Sequence, residues 1–298
     1  MEYDADWRVG IERIGRWVDF DGGYKTMDND FIESVWWALA ELNKKGLIYE
    51  GVRVLAYCAR CETPIANSEI AMDNSYKDIA DISVYVKFEL EDEFGTESPS
   101  LRSGRSNTSY LIAWTTTPWT LPGNTAIAVN KDIEYVKVEA DGVNYILAEA
   151  TLGNVFKEKS FKILEKFKGD KLVGRKYKPV FPYYLDADMP NKENIYKVWH
   201  ADFVTTDMGT GIAHEAPAFG EDDMNLAREH KIPWIIHVDE TGRFKSEVKD
   251  FSGLKVKPKD TAEDKDMHLR SDIEVIKYLQ ANGSYFAKEK ITHSYPHC

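Results

Sequence analysis

Residues 110–124 read YLIAWTTTPWTLPGN. The lead-in, Tyr110 to Trp114, has the composition of a buried strand. Side chains alternate along a strand, so Thr115 and Thr117 share one face and Thr116 takes the other. Thr117 precedes proline, which pushes it toward extended backbone, and Pro118 then fixes the turn. The product is a stiff ledge of small β-branched residues carrying hydroxyls. Two readings follow: the hydroxyls are free to donate to or accept from a ligand, or the threonines satisfy their own backbone at a strand end.

Working outward, the same character continues on both sides. From about Asp81, DISVYVKFEL, TAIAVN, EYVKVEADGVNYILA and KPVFPYYL are short strand-like runs, and ADGVN marks a hairpin. EFGTESPSLRSGRSNTS is a polar loop. SDIEVIKYLQANG predicts a helix with Ile273, Ile276 and Leu279 inward and Gly283 as its stop. Upstream, TMDNDFIESVWWALAELNKKGLIYEG predicts a helix capped at Asp28 or Asn29, striped by Phe31, Val35, Leu39 and Leu42, and ended by Gly46. LIYEGVRVLAYC then reads as a strand entering a C-x-x-C turn. The expected class is therefore α+β, with a β-rich middle.

A second segment, DMGTGIAHEAPAFGEDDMNLAREH, follows at 207–230. Gly209, Thr210 and Gly211 can bring backbone N–H groups close to a ligand. His214 lies on a short strand, either as a satisfied core histidine or as a site residue. Glu221, Asp222 and Asp223 open a helix, where a carboxylate either caps the free amides or serves a ligand. His214-Glu215 does not extend to H-E-x-x-H, and no G-x-S-x-G is present, so zinc-protease and serine-hydrolase readings fail.

The 298 residues suggest about two domains. A net charge of −12 disfavours nucleic acid as a general partner. Yet Lys157 to Lys178 holds nine basic residues against three acidic ones, either a solvated face or a local contact with a phosphate backbone. No apolar run approaches the roughly 20 residues of a spanning helix, and the first residues show no secretion signal. Three cysteines, two of them as Cys58-x-x-Cys61, point to a reducing compartment. That pair offers half of a tetrahedral zinc site, with Cys298 as third ligand and His297 as a substitute, or a reduced pair without metal. Both ends of the chain read as cuts through something larger.

WTTTPWTLPGN, GTGIAHEAPAFGEDD and HSYPHC, with YKTMDNDFIESVWW and YCARCETP upstream, together resemble isoleucyl-tRNA synthetases over essentially the whole chain. Valyl and leucyl relatives typically show Arg after the threonines. The resemblance implies the editing insertion, connective polypeptide 1: a β-barrel-like domain with surrounding helices on a β-ribbon stalk with a partial zinc knuckle. The implied layout is a catalytic-domain fragment at 1–46, stalk and knuckle at 47–80, editing domain at 81–283 and a returning stalk strand at 284–298. Neither H-x-G-H nor K-M-S-K-S is present, so adenylate formation is not expected of this chain, and ATP belongs to the full-length enzyme. The implied activity is hydrolysis of valine misattached to tRNA(Ile), and of Val-AMP. One missing methylene gives too little discrimination in a synthetic pocket, the isoleucyl enzymes themselves being the standard illustration. By resemblance, Asp223 holds the substrate α-ammonium and His214 excludes isoleucine. Thr115, Thr116, Thr117, Trp119 and Asn124 form the wall, and Thr117 or the backbone at Gly209–Gly211 holds the attacked carbonyl. The implied partners are the tRNA(Ile) acceptor end and the rest of the synthetase, and the compartment is the cytoplasm. The competing readings are an acceptor-end binding module without turnover and a valyl or leucyl relative.

Overall fold

The computed structural model describes residues 2–58, 61–92, 108–260, 262–263 and 265–296. The chain divides into two compact units, Met1–Arg53 and Val54–Cys298. The first holds α1 (Glu2–Arg13) and α2 (Asn29–Lys44). Leu47 and Gly46 donate their N–H groups back to the carbonyls of Leu42 and Asn43, which ends α2 as the sequence predicts. The expected stripe exists as spacing, but α2 buries none of its residues.

In the second unit, β1 (Tyr57–Cys58) and β2 (Thr63–Pro64) form a small hairpin around the cysteine turn, followed by the short α3 (Asn67–Ile70). The predicted strand across Leu47–Cys58 shrinks to β1, because only Tyr57 and Cys58 find a partner to complete their backbone hydrogen bonds. The polar loop read at 93–109 lies almost wholly outside the described residues.

The rest is one mixed sheet of nine strands. In chain order these are β3 (Tyr76–Glu89), β4 (Ser109–Thr115), β5 (Ala126–Val129), β6 (Glu134–Ala140), β7 (Val143–Ala148), β8 (Lys162–Lys168), β9 (Lys197–His200), β10 (Ile212–Glu215) and β11 (Tyr285–Pro296). Helices α4 (Leu152–Phe156), α5 (Glu221–Glu229) and α6 (Arg270–Ala281) are interleaved. The predicted ADGVN hairpin joins β6 to β7, with Asp141 and Gly142 both at positive φ, as a two-residue hairpin turn requires. KPVFPYYL is not a strand. Pro179 and Pro182 supply no N–H, and the run becomes a loop with a 3-10 turn at Pro182–Tyr184.

Strand β4, the lead-in of the opening stretch, has three partners: β7 parallel at its start, β3 antiparallel along its length, and β10 parallel at Trp114. From β10 the sheet continues to β5 and β9. Single bridges Lys176–Lys197 and Leu90–Tyr177 then carry it back to the end of β3. The sheet thus curls into a barrel-like circuit, with β8–β6–β7 as an added wing. Period-2 alternation gives the sheet two cores. Val84, Val86, Phe88, Leu111 and Ala113 point inside, whereas Tyr85 and Ile112 pack with Val136, Leu147 and Phe156 beneath the wing and α4. Beyond the barrel, β3 and β11 run on as an antiparallel ribbon to Tyr76–Pro296.

Candidate functional site

The opening stretch leaves β4 at Thr115 and enters a 3-10 turn, Pro118–Gly123. Thr115 accepts the Thr117 N–H at 3.1 Å, and their hydroxyls lie 3.3 Å apart, so the two do share a face. Thr117 Oγ1 lies 3.3 Å from Thr120 Oγ1, and Thr120 donates to the Thr117 carbonyl at 2.8 Å. Both readings of the threonines are therefore partly right: they satisfy local backbone and they make a continuous hydroxyl ledge. Thr116 is half-buried and makes none of these bonds.

The ledge ends on His214. Its Nε2 is 2.8 Å from Thr120 Oγ1, and its Nδ1 is 3.1 Å from Asn124 Nδ2. The direction of every bond can be assigned. The Ala126 carbonyl, which can only accept, lies 2.7 Å from Asn124 Nδ2 and fixes that amide with its nitrogen toward His214, so the fully buried Tyr177 hydroxyl donates to Asn124 Oδ1 at 2.6 Å. His214 Nδ1 must then accept, so Nε2 carries the proton and donates to Thr120. Burial drives the His214 pKa down to about 3, so the ring is neutral. The result is a one-way relay, Tyr177 to Asn124 to His214 to Thr120 to the Thr117 carbonyl. It aims a neutral imidazole but leaves His214 Nε2 no lone pair with which to act as a base.

Asp223 lies on the first turn of α5 and reaches back, its Oδ2 accepting the Ala216 N–H at 2.7 Å. A Cβ on Gly220 would meet Asp223 Oδ1 at 2.3 Å, so the carboxylate curls over a residue that must lack a side chain. Asp223 is thus tied to the β10 segment just beyond His214, and Thr117 connects to that segment through Thr120. Its pKa is raised, by burial first, against the lowering effect of the Ala216 amide.

Gly209, Thr210 and Gly211 lie elsewhere. Gly209 packs on the Trp114 ring, on the opposite face of β4 from Thr115, around a cavity of about 320 Å³ lined also by Phe203 and Met208. Their carbonyls are engaged: Thr210 O accepts the Ala148 N–H, and Gly211 O accepts the Tyr135 hydroxyl at 2.6 Å. The tripeptide is a close-packing device at the start of β10 and is separated from the ledge by the strand itself.

Trp119 fixes the turn. Its indole meets Phe219 edge-on at 5.2 Å, and the Trp119 backbone N–H donates to Asp272 Oδ1 at 3.0 Å. Asp272, fully buried at the start of α6, pairs with Lys257 at 2.7 Å, and Lys257 pairs with Asp81 of β3 at 2.9 Å. Sequence reasoning passed over Thr120, Tyr177, Lys257 and Asp272. Thr120 was inside the quoted stretch; the others sit in segments without motif and meet the site only through the fold.

Cys58 and Cys61 share one turn, with the Cys61 N–H 3.4 Å from Cys58 Sγ. Two thiols there fit half of a zinc site. Cys298 and His297 lie outside the described residues, and no cluster of three metal-binding side chains occurs among the described ones. No helix among them is long and apolar enough to cross a membrane.

The model of the tRNA synthetases class I (I, L, M and V) matches residues 1–262. The chain belongs to that family. Curated relatives include the isoleucine–tRNA ligases of Treponema denticola, 40% identical over 100% of this chain and 28% of that protein, and of Corynebacterium diphtheriae, 41% identical over 100% and 27%. The chain therefore spans about a quarter of the length of the relatives it matches. Among solved structures, the editing domain of P. knowlesi cytosolic leucyl-tRNA synthetase is 12% identical, with a TM-score of 0.41 over 70% of this chain and 97% of that one. A score that low carries no weight for the fold.

Proposed function

We propose that this class I synthetase chain carries the editing site of an isoleucyl enzyme and hydrolyses valine from mischarged tRNA(Ile). The observation that carries the reading is the relay that fixes a neutral His214 against the threonine ledge, with Asp223 anchored one residue beyond Glu215. An aminoacyl ester is already activated, so the site needs position and polarisation more than a protein nucleophile. In this reading Asp223 pairs with the α-ammonium, Thr117 polarises the carbonyl, and the rigid His214 ring limits side-chain size. The relay argues against His214 as general base. The tRNA acceptor end is the partner, the β3–β11 ribbon is the stalk to the rest of the synthetase, and the compartment is cytoplasmic. Cys58 and Cys61 contribute two ligands of a structural zinc, which takes no part in the chemistry. ATP is a ligand of the longer protein only.

The test is hydrolysis of Val-tRNA(Ile) and Ile-tRNA(Ile) by this chain. Valine should be released and isoleucine spared, with Asp223→Ala losing roughly a hundredfold or more in rate while keeping the fold. His214→Ala should admit the isoleucyl ester. Binding of Val-tRNA(Ile) without turnover would leave an acceptor-end binding module, and cleavage of a different mischarged tRNA would reassign the chain to a valyl or leucyl relative.

A further inference from the structure

Glu215 is the least comfortable side chain beside the site. It is 1% exposed, at the end of β10 between His214 and the Ala216 amide that holds Asp223. Its backbone is pinned: the Glu215 carbonyl accepts the Thr125 N–H at 3.1 Å and Asn124 Nδ2 at 3.3 Å. Its side chain is different. Neither carboxyl oxygen receives a hydrogen bond from any donor among the described residues. The second carboxyl at this place is Asp223, whose Oδ2 is held at 2.7 Å by the amide of the next residue, Ala216, and whose charge adds to burial in raising the Glu215 pKa. Two carboxylates cannot bond each other, because each only accepts. An ionised pair in a buried place without a cation is also electrostatically untenable. One of the two carboxyls must therefore be protonated.

The location of that proton follows from the partners. Asp223 accepts the Ala216 N–H and sits on the first turn of α5, where free amides and the helix dipole favour negative charge. Glu215 has neither. The other titratable groups around the pair are Asp222, on the same helix turn, and the phenol of Tyr177; neither supplies positive charge. His214, the neighbour in sequence, is held neutral.

We propose that Glu215 is a positioning residue of this site: a neutral carboxylic acid that donates its proton to Asp223 and presents Asp223 as the one carboxylate aimed at an incoming ammonium group. The burial of Glu215 and the lack of any donor at its carboxyl among the described residues stand apart from the editing reading; only the identity of the ammonium rests on it. Burial and the neighbouring Asp223 charge both push Glu215 well above the usual carboxylate range, in agreement with it. The arrangement leaves the pair a single negative charge, matched to a single cation.

Two measurements test it. In protein with ¹³C-labelled glutamate carboxyls, the Glu215 signal, assigned by its loss in Glu215→Gln, should stay protonated through about pH 4–6, where exposed glutamates titrate. In Asp223→Asn its midpoint should fall. Titration of Glu215 together with the exposed glutamates overturns the proposal whether or not the chain edits. The second measurement is affinity for a non-hydrolysable valyl-adenosine analogue. Glu215→Leu, which lacks a donor, should weaken binding by roughly tenfold to a hundredfold, while Glu215→Gln, which keeps one, should retain most of it. Circular-dichroism melts of the Leu and Gln variants separate a loss of binding from a loss of fold: both should remain folded at the assay temperature. Equal binding by the Leu and Gln variants, whether both weakened or both intact, overturns the proposal. If the parent binds no valyl analogue, the editing reading fails while the carboxyl titration still decides where the proton lies.

Discussion

At the scale of single residues, the relay makes His214 readable as physics. Its ring orientation is set by Tyr177 two bonds away, through Asn124. Tyr177→Phe should cost about 1 kcal/mol by leaving Asn124 Oδ1 without its donor. Thr120→Val should cost about 1–3 kcal/mol, because it strips the buried His214 Nε2 proton of its acceptor, while the Thr117 carbonyl keeps the Thr120 backbone N–H at 3.0 Å. Urea unfolding measures both, and a Thr120→Val protein as stable as the parent would show that the relay is not held together as assigned. The opening stretch displayed the hydroxyls and the proline turn. It did not display which threonine touches the histidine, since that depends on where β10 lands beside β4.

At the scale of elements, the turn Pro118–Gly123 is clamped from α6 and from the ribbon. Asp272 holds the Trp119 N–H, and Lys257 bridges Asp272 to Asp81. Removing one member of a buried charge network leaves the others uncompensated, so Asp272→Ala should destabilise by roughly 3–5 kcal/mol and slow the proposed ester hydrolysis with it. Circular-dichroism melts and the deacylation assay read the two effects. The Gly209–Gly211 segment gives a sharper contrast. Gly211 has φ +71°, and a Cβ there would lie 2.5 Å from the Ala148 Cβ. Gly211→Ala should therefore cost about 1–3 kcal/mol or more. Gly142, also at positive φ but in open space, should accept asparagine for under about 1 kcal/mol. Periodicity and turn chemistry announced the ADGVN hairpin, α2, α5 and α6. They misread KPVFPYYL and 47–56, where apolar residues occur without a neighbouring strand to pair.

At the scale of the whole molecule, two neutral imidazoles make stability depend on pH. His214 and His237 are pushed down to about 3 and about 4 by burial. The folded chain then binds fewer protons than the unfolded chain below about pH 6.5, so the contribution of each ring is complete above that pH and shrinks as pH falls. Asp272, raised to about 6 by burial, works in the opposite sense between about pH 6 and 4, so the sum is best resolved by difference. The stability gap between the parent and His237→Gln should narrow by on the order of 1 kcal/mol for each pH unit below 6.5. A gap independent of pH would mean the ring is not held neutral. In the proposed reading, the same scale governs tRNA contact. With a net charge of −12, binding should rest on a few local basic side chains and weaken steeply with added salt, as a filter assay across salt concentrations would show.

The sequence by itself determined the β-rich class, the hairpin and helix positions, the stiff hydroxyl-bearing turn and the acid at a helix start. Those depend on neighbours three or four residues away, through alternation, proline geometry and capping. Only the tertiary structure decided that Thr120 and Asn124 grip one histidine, that Gly209–Gly211 lies across the strand from them, and that Asp223 accepts the amide next to a second buried acid. Each of these is a contact between segments from about seven to more than ninety residues apart, made where the sheet closes on itself. No local pattern encodes a strand's neighbours in a barrel; the register of β4, β5 and β10 does.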